Sequence, residues 1–511
     1  MAATFNLTHE PWLPCLGADG RPREVGLYEA LARAHELRAL EGANPLETAA
    51  LHRLLLALLQ KVFPVPDAAA WWSLWQAGRW PEGPLETYLK EWQARFDLFH
   101  PQQPFYQARD DRVEPRSVAF LVPGLSAASV YNHEVETGTM ALPAPAAARL
   151  LLVAQAFGLP GIRHPQLGLF FNGAPWSAGV VFLVEGNNLF QTLALNLLRY
   201  DPRHPLQELC RSKDDRPAWE LDDPFSPARA VPLGYLDYLT WQNRRLRLLP
   251  EGVAGDILVR LATATPGLKL DAELRDPMKH YRADPKRGWL TLLLGEGRAL
   301  WRDSSVLLSL RHSQVRPPVA LEWLANLAED YDLDRSTRYR LLGIGLLADQ
   351  AKALLFRAER LPLPLDYLKD ERLVAHLGHA VEVASAAQKA LRDALRHLAT
   401  VLLSRAADLP GGRQPDRKDV GNLVLHWGVE RLYWAALELP FLRLVEDLPV
   451  GSPEEVLGAW GQVVRRGAWA ALERAADTAG TGAGGLKAAA QARRRLTSQL
   501  SGIAPLAPAA Q

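Results

Sequence analysis

The chain has 511 residues, of which 48% are hydrophobic and 23% are charged, and its formal net charge at pH 7 is only +1. This length allows large hydrophobic cores and exceeds one typical domain, so we expect two domains. The small net charge argues against a protein that binds DNA tightly on its own, because phosphate neutralisation supplies most of such affinity. It still permits a protein that contacts nucleic acid through a few residues while its partners supply the rest.

Charged side chains interrupt every long apolar stretch, and the first residues lack the charged-then-apolar layout of a signal peptide. We therefore expect a soluble, cytoplasmic protein that does not contact a membrane. The two cysteines, Cys15 and Cys210, are too few for a thiolate metal cage and fit a reducing compartment.

The N-terminal part of the chain predicts a mixture of helices and strands. Apolar residues recur at helical spacing over residues 27–37 and 51–59, and Asn44 followed by Pro45 is typical of the start of the second helix. A tryptophan-rich helical stretch follows at residues 71–96, and a further helix at residues 150–157 is predicted to end at Gly158. Residues 180–184, 257–264 and 289–294 are rich in apolar or β-branched side chains and predict strands.

After residue 364 the composition changes to alanine, leucine, arginine and glutamate. Four long helices are predicted at residues 373–407, 418–439, 453–476 and 485–500, with the second ending before Pro440. Short breaks between successive helices favour antiparallel neighbours. The predicted fold class is therefore α+β, with a large mixed α/β domain with long loops at residues 1–365 and a four-helix bundle at residues 366–511.

Several local patterns imitate chemical sites but lack a required residue. Residues 343–348 match a dinucleotide-binding glycine fingerprint, yet prolines follow where its crossover should continue. Residues 330–341 lack the glycine and the final glutamate of a calcium loop, and residues 480–487 lack the lysine position of a phosphate loop. His376 and His379 could share a helix face, but no third metal ligand is evident nearby. We expect no cofactor, metal site or catalytic residue, although distant carboxylates could still form a nuclease site.

Three stretches carry a more specific signal: residues 5–14 (FNLTHEPWLP), 96–107 (FDLFHPQQPFYQ) and 239–246 (LTWQNRRL). Each alone predicts ordinary aromatic packing. Together, in this order and spacing, they resemble the CasA family, the large subunits of type I-E CRISPR surveillance complexes (Cascade). The resemblance implies a non-catalytic subunit of an RNA-guided antiviral complex. The guide reads the target by base pairing, and this protein inspects a short adjacent DNA motif, the PAM.

The resemblance implies two backbone elements that approach the DNA. Asp349, Gln350 and Ala351 would form a wedge at a hairpin tip, whose glutamine enters the base stack. An ordinary exposed turn is the alternative. Gly158 and Gly161 would form a loop that approaches the minor groove closely, although Gly158 is equally well explained as a helix C-cap.

A lysine and a docking loop are implied in the same way. Lys269 would reach the PAM, with Lys279 as a competing residue and a solvated surface charge as the alternative. Val130, Tyr131 and Asn132 begin a loop, extending to residue 143, that would dock onto the guide-RNA-bearing subunits and order on assembly.

The expected partners are therefore the guide-RNA-bearing Cascade subunits, the small subunits at the bundle, the helicase–nuclease effector and double-stranded target DNA. Arg244, Arg245 and Arg247 would contact a phosphate backbone or pair with internal carboxylates. The arginine cluster at residues 493–495 would lie on a solvated helix face or along the path of the displaced strand. A purely structural adaptor without DNA contacts and a metal-dependent nuclease are the rival functions.

Overall fold

The computed structural model describes residues 3–125, 140–159, 161–170, 173–200, 214–253, 255–295, 297–334, 337–349, 352–407 and 415–503. The chain divides into two compact units, Met1–Gly295 with Leu310–Arg360 and Glu296–Ser309 with Leu361–Gln511. The short segment Glu296–Ser309 therefore belongs to the second unit, although Leu310–Arg360, which follows it in the chain, belongs to the first.

Helices occur in both units, and the long ones lie near the C-terminus. They are α1 (Leu27–Ala32), α2 (Pro45–Val62), α3 (Ala68–Ala77), α4 (Glu82–Glu91), α5 (Ala144–Phe157), α6 (Leu189–Leu195), α7 (Tyr235–Leu239), α8 (Ser304–Leu307), α9 (Val319–Asp330), α10 (Asp366–Lys369), α11 (Glu371–Ala407), α12 (Arg417–Trp427), α13 (Val429–Asp447), α14 (Pro453–Ala476) and α15 (Ala483–Ser501). Among the described residues, no helix combines the length and apolarity that a membrane span requires.

The strands form small sheets, and the strand pairs whose register is described are antiparallel. They are β1 (Leu13–Gly17), β2 (Pro22–Val25), β3 (Leu37–Leu40), β4 (Arg116–Ser117), β5 (Leu142–Pro143), β6 (Val180–Glu185), β7 (Arg244–Val253), β8 (Asp256–Pro266), β9 (Tyr281–Asp284), β10 (Gly288–Thr291), β11 (Val315–Arg316), β12 (Arg340–Asp349) and β13 (Lys352–Pro362). The sheet orders are β2-β1-β3, β10-β9-β11, β13-β12-β6 and β4-β8-β5, with β7 also paired to β8.

Several local predictions for the first unit are confirmed. The Asn44 side chain caps α2 by accepting hydrogen bonds from the backbone N–H groups of Leu46 (3.0 Å) and Glu47 (3.1 Å). Every residue of β6 is buried, as its continuous apolar run predicts. Residues 257–264 lie within β8. The strand predicted at 289–294 is shorter, since β10 ends at Thr291.

The prediction of one helix over residues 27–37 is wrong. Helix α1 ends at Ala32, a 3₁₀ turn follows at Ala34–Glu36, and the chain then enters β3. Strand β3 pairs with β1, which places Leu40 opposite Cys15 in the register. The sheet pairing overrides the helical spacing of the leucines, because tertiary contacts routinely outweigh local propensity.

The second unit is a helical bundle around α11, which packs against α12, α13, α14 and α15. Two buried aromatic side chains tie neighbouring helices to it: the Tyr433 hydroxyl donates to the Ala384 carbonyl (2.7 Å), and the Trp460 indole N–H donates to the Ala380 carbonyl (2.9 Å). The predicted α+β class, with a mixed region followed by a helical region, is confirmed.

The prediction of one helix over residues 418–439 is wrong in both its continuity and its end. Helix α12 ends at Trp427, and Gly428 takes the left-handed conformation with a φ of +63°. Helix α13 then begins at Val429 and continues through Pro440 to Asp447. An internal proline costs a helix about 3 kcal/mol. Leu437 and Phe441, on either side of it, are fully buried, and their burial offsets that cost.

Candidate nucleic-acid interface

The three stretches that carry the family resemblance contact one another in the first unit. The backbone N–H of Leu7 donates to the Phe96 carbonyl (2.9 Å), which joins the first stretch to the second. The Gln107 side chain joins the second to the strand that follows the third: its Nε2 donates to the Leu98 carbonyl (2.6 Å), and its Oε1 accepts from the Leu248 N–H (2.8 Å). The stretches therefore build one scaffold in addition to supplying aromatic packing.

Asn243 and Arg244, in the third stretch, connect three loops at one buried point. The Asn243 Nδ2 donates to the carbonyls of Gly173 (2.7 Å) and Leu268 (3.0 Å). The Arg244 guanidinium donates to the Gly158 carbonyl and to the Asn243 backbone carbonyl (3.0 Å). Both residues are completely buried. The loop after α5, the loop at Gly173 and the segment after β8 are thus held together by two adjacent side chains.

The backbone of Arg244 is fixed by a buried glutamine of α5. The Gln155 Nε2 donates to the Arg244 carbonyl (2.8 Å), and the Arg244 N–H donates to the Gln155 Oε1 (2.8 Å). Burial lowers the pKa of the Arg244 guanidinium to about 9, so it remains protonated at neutral pH. Arg244 is therefore an internal structural residue, and the alternative that it contacts a phosphate backbone is wrong.

Gly158 ends α5 in the left-handed conformation, with a φ of +66°, and the predicted C-cap is confirmed. The surroundings also require glycine, because an added Cβ would lie 2.9 Å from the Ala174 Cβ and 3.1 Å from the Arg244 Nη2. Gly161, three residues further on, is exposed. The loop therefore starts from a tightly packed residue and reaches the surface.

Lys269 is exposed, but the residue before it is fixed. Leu268 is buried against Trp241 and Phe225, and its N–H donates to the Gln242 carbonyl (3.0 Å). Because Asn243 binds the Leu268 carbonyl, Lys269 projects from the same buried pair that holds Gly158. The structure thus brings two of the sequence-predicted site elements onto one support.

Lys279, the competing lysine, is buried and engaged inside the fold. Its Nζ donates to the Pro175 carbonyl (2.7 Å). Burial lowers its pKa, against the opposing effect of the Asp276 carboxylate. Lys279 therefore supports the Gly173 loop and is not available to DNA.

Other predicted site residues lie outside the described residues. Strand β12 ends at Asp349 and its sheet neighbour β13 begins at Lys352, so the two strands flank the expected wedge, while Gln350 and Ala351 themselves are not described. The positions at 130–132, Val130, Tyr131 and Asn132, are likewise outside, and so is the side chain of Asp349. The glycine fingerprint at 343–348 lies within β12 and does not form a strand-to-helix turn.

Several of the other arginines considered as nucleic-acid contacts already bind side chains within the fold. Arg245 stacks over the Phe225 ring at 4.2 Å. In the bundle, Arg493 binds Glu473 (2.8 Å) and Arg495 binds Asp393 (2.7 Å), whereas Arg494 between them is exposed. Over the described ranges, no three His, Cys, Asp or Glu side chains are grouped so that they could share a metal ion.

Comparison with known proteins identifies the family. The family described as CRISPR-associated protein Cse1 matches residues 6–471. The chain belongs to this family. The curated CasA/Cse1 protein of Thermus thermophilus is 36% identical over 505 residues, which cover 95% of each chain. The crystal structure of that organism's CasA has a TM-score of 0.80 at 33% identity, and the match covers 98% of this chain and 100% of the other.

More distant Cse1 structures share the fold of this Cse1-family chain. Cse1 from Acidimicrobium ferrooxidans has a TM-score of 0.81 at 26% identity over 98% of both chains. A chain of a CRISPR RNA-guided surveillance complex has a TM-score of 0.76 at 22% identity, covering 96% of this chain and 99% of the other, which shows the fold alone. The expected identity as a CasA-type large subunit of type I-E Cascade is confirmed.

Two glycines of the same region provide a matched test of the packing around Gly158. Gly158 and Gly168 both have a φ of +66°, but an added Cβ at Gly168 meets no atom within 4 Å. We expect Gly168→Ala to lower the free energy of unfolding by about 1 kcal/mol, the cost of the left-handed conformation. Gly158→Ala should lose about 1–3 kcal/mol more, because the Cβ overpacks its neighbours. Denaturant titration measures both, and equal losses would contradict the packing described here.

Proposed function

We propose that this chain is the DNA-recognition subunit of an RNA-guided surveillance complex. It inspects the PAM in double-stranded target DNA, helps to separate the strands and presents a binding surface to the helicase–nuclease. The observation that carries the proposal is the attachment of the Gly158 loop and Lys269 to the buried Asn243–Arg244 pair. Membership of the Cse1 family, whose fold recurs in a CRISPR RNA-guided surveillance complex, supports it.

The proposed PAM contact follows from the chemistry of the minor groove. That groove offers mainly acceptor atoms, and a guanine adds an obstructing amino group. The Lys269 ammonium supplies donors for those acceptors, while Gly161, the exposed glycine that follows the buried Gly158, lets the backbone come close at a position without a side chain. Because Gly158 and Leu268, from which the two elements extend, are already held in place, binding would require less additional ordering than two free loops would.

The proposed wedge at Gln350 needs a firm base, because separating a base step costs roughly a few kcal/mol. Strand β12 pairs with the wholly buried β6 from Arg340 opposite Glu185 to Gly345 opposite Val180. The Glu185 carboxylate also accepts two hydrogen bonds from the Arg360 Nε of β13 (3.1 and 2.9 Å). These contacts support the strands on which the tip would be carried.

The bundle offers a surface suited to the small subunits. Leu432, Ala435, Ala436 and Leu439 recur at spacings of three and four along α13, and all four are exposed. Leu439 retains 69% of its accessible surface and Leu432 retains 46%. We propose that this apolar face packs against the small subunits, whereas the loop beginning at Val130 docks onto the guide-RNA-bearing subunits.

The proposed role is non-catalytic, and two rivals make different predictions. A structural adaptor would tolerate loss of Lys269 and Gln350 without any change in target binding. A nuclease would show metal-dependent cleavage by the purified chain that is lost when an acidic cluster is mutated. Recovery of the native protein with a guide RNA and several companion proteins would support the assembly itself.

The variant Lys269→Ala and its control Lys286→Ala test PAM recognition. In the reconstituted complex, Lys269→Ala should reduce discrimination between targets with and without the PAM by about 5- to 150-fold, because one base-edge contact provides about 1–3 kcal/mol. Equilibrium binding to the two duplexes measures this ratio. Lys286→Ala removes another exposed lysine of the same unit, whose side chain makes no hydrogen bond or ion pair among the described residues, and should leave the ratio unchanged.

Unchanged discrimination in Lys269→Ala would contradict the lysine assignment. If Gln350→Ala also left strand opening unchanged, as followed by a fluorescent base analogue beside the PAM, the adaptor function would be favoured instead.

The apolar face of α13 gives an independent prediction about assembly. The double variant Leu432→Asp and Leu439→Asp should lose co-purification with the small subunits, because two buried carboxylates would replace apolar contacts. Leu486→Asp, at a position that is 56% exposed on α15, is the matched control and should retain them. Full retention of the small subunits by the double variant would remove this face from the interface.

A further inference from the structure

A cleft of about 420 Å³ lies in the first unit, apart from the elements discussed above. It is lined by the 3₁₀ turn and β3 on one side, by the residues before α6 on another, and by the start of β12 on a third. Three arginines contribute to it, Arg38, Arg338 and Arg340, together with His35 and Asn187. We call it the arginine cleft.

Two of the three guanidinium groups are unengaged. Arg38 and Arg338 are exposed, and within the described ranges neither guanidinium makes an ion pair or a hydrogen bond. Arg340 lies 3.4 Å from the Glu185 carboxylate, which already accepts two hydrogen bonds from Arg360. The cleft therefore holds positive charge that its own acidic neighbour does not neutralise.

The other polar groups of the cleft favour an anionic ligand. The Glu36 carboxylate is already bound by the Arg33 Nε (3.0 Å). The Asn187 Oδ1 accepts the Arg338 backbone N–H (3.0 Å), which leaves the Asn187 amide N–H groups as donors. The His35 Nδ1 is buried and has no hydrogen-bond partner among the described residues. The Asn187 Oδ1 and the Glu36 Oε2 are thus occupied, whereas Glu36 Oε1, 3.7 Å from the His35 Nε2, accepts no hydrogen bond among the described residues. The two unengaged guanidinium groups and the Asn187 amide outnumber this one carboxylate oxygen.

We propose that the arginine cleft binds phosphate groups, and that these belong to the backbone of a nucleic acid. A guanidinium presents a planar fork of donors that matches two phosphate oxygens. Successive phosphates along one strand would supply a partner for each of the two unengaged arginines. No aromatic side chain among the described residues other than the His35 ring lines the cleft, so it offers little surface for base stacking, and its contacts would be independent of base sequence.

The arginine cleft is distinct from the proposed PAM contact. Arg340 and Asp349 mark opposite ends of β12, which places the cleft about 30 Å along the strand from Asp349, where the expected wedge begins. A nucleic acid held there would be a flanking segment and not the motif itself. The cleft is defined by its own geometry, and only its assignment to nucleic acid rests on the proposed function.

The salt dependence of DNA binding tests the proposal in the full chain. The probe is a fluorescein-labelled duplex of random sequence, with anisotropy measured from about 50 to 200 mM salt. Each phosphate contact contributes about 0.9 to the slope of log K against log salt, so Arg38→Ala with Arg338→Ala should lower the slope by about 1.8. The ratio of wild-type to variant affinity would then shrink about twelvefold across that range.

The control removes two charges elsewhere. Arg79 and Arg372 are exposed and make no side-chain ion pair among the described residues, so Arg79→Ala with Arg372→Ala should keep the wild-type slope. The variant Arg38→Lys with Arg338→Lys keeps both charges and should also keep most of the slope. An unchanged slope in the cleft variant, or an equal reduction in the control, would overturn the proposal.

Two further measurements are needed. One distinguishes a free nucleotide from a nucleic acid as the ligand of the arginine cleft, and the other distinguishes failure of the cleft proposal from failure of the PAM proposal. Saturable binding of ATP that the cleft variant loses, with no change in duplex binding, would assign the cleft to a free nucleotide and overturn the nucleic-acid assignment. PAM discrimination should survive in Arg38→Ala with Arg338→Ala. If discrimination fails to depend on Lys269 while the cleft variant still lowers the slope, the PAM proposal fails and the cleft stands.

Discussion

The Asn243–Arg244 pair is the contact on which the candidate DNA-binding surface depends. Loop carbonyls that are removed from water must find donors, because an unpaired buried carbonyl destabilises the fold. Here two adjacent side chains donate to the carbonyls of Gly158, Gly173 and Leu268. The guanidinium is buried while still charged, so the acceptors around it are as necessary to the arginine as the arginine is to them.

This arrangement explains why the family stretches are spread so widely along the chain. Residues 5–14 pair with the backbone near Phe96, and Gln107 connects that region to Leu248 in β7. Gln155 of α5 then fixes the start of β7 at Arg244. A continuous set of hydrogen bonds therefore leads from the N-terminal residues to the support of Lys269. Rigid support of this kind holds an exposed group such as Lys269 in a fixed position, as a recognition surface requires.

Some of this structure could be predicted from the sequence, because the deciding interactions are local. Asn44 caps the N–H groups of Leu46 and Glu47, and the apolar run at 180–184 has the composition of a buried strand. The helix predicted at 453–476 coincides with α14. The sequence-based predictions are wrong where contacts between distant residues decide the secondary structure. Strand β3 forms because β1 is available for pairing. Helix α13 continues through Pro440 because Leu437 and Phe441 are buried.

The candidate site likewise combines features that local sequence patterns predict with features that depend on distant residues. Gly158 is predictable from helix-ending patterns, whereas the roles of Asn243 and Arg244 depend on loops that lie 25 to 86 residues away in the chain. The sequence signal is the run of four polar residues, Gln242 to Arg245, enclosed by the apolar Trp241 and Leu246. That signal indicates burial with internal hydrogen bonds, but not which carbonyls accept them. Likewise, the sequence leaves Lys279 as a competitor of Lys269 for the PAM, and only its contact with the Pro175 carbonyl shows that it lies inside the fold.

Hydrogen exchange of Asn243→Ala tests this account most directly. The variant leaves the carbonyls of Gly173 and Leu268 without their Asn243 donor, at a cost of about 1–3 kcal/mol for the buried Leu268 carbonyl and less for the exposed Gly173. The account predicts exchange faster by about tenfold or more at the amides of residues 156–159, 161–162, 173–174, 176–177 and 267–269 together, since all three loops share the support. Gln166→Ala, which removes an exposed amide from a neighbouring loop, should change none of them. Faster exchange confined to residues beside position 243 would contradict the shared support.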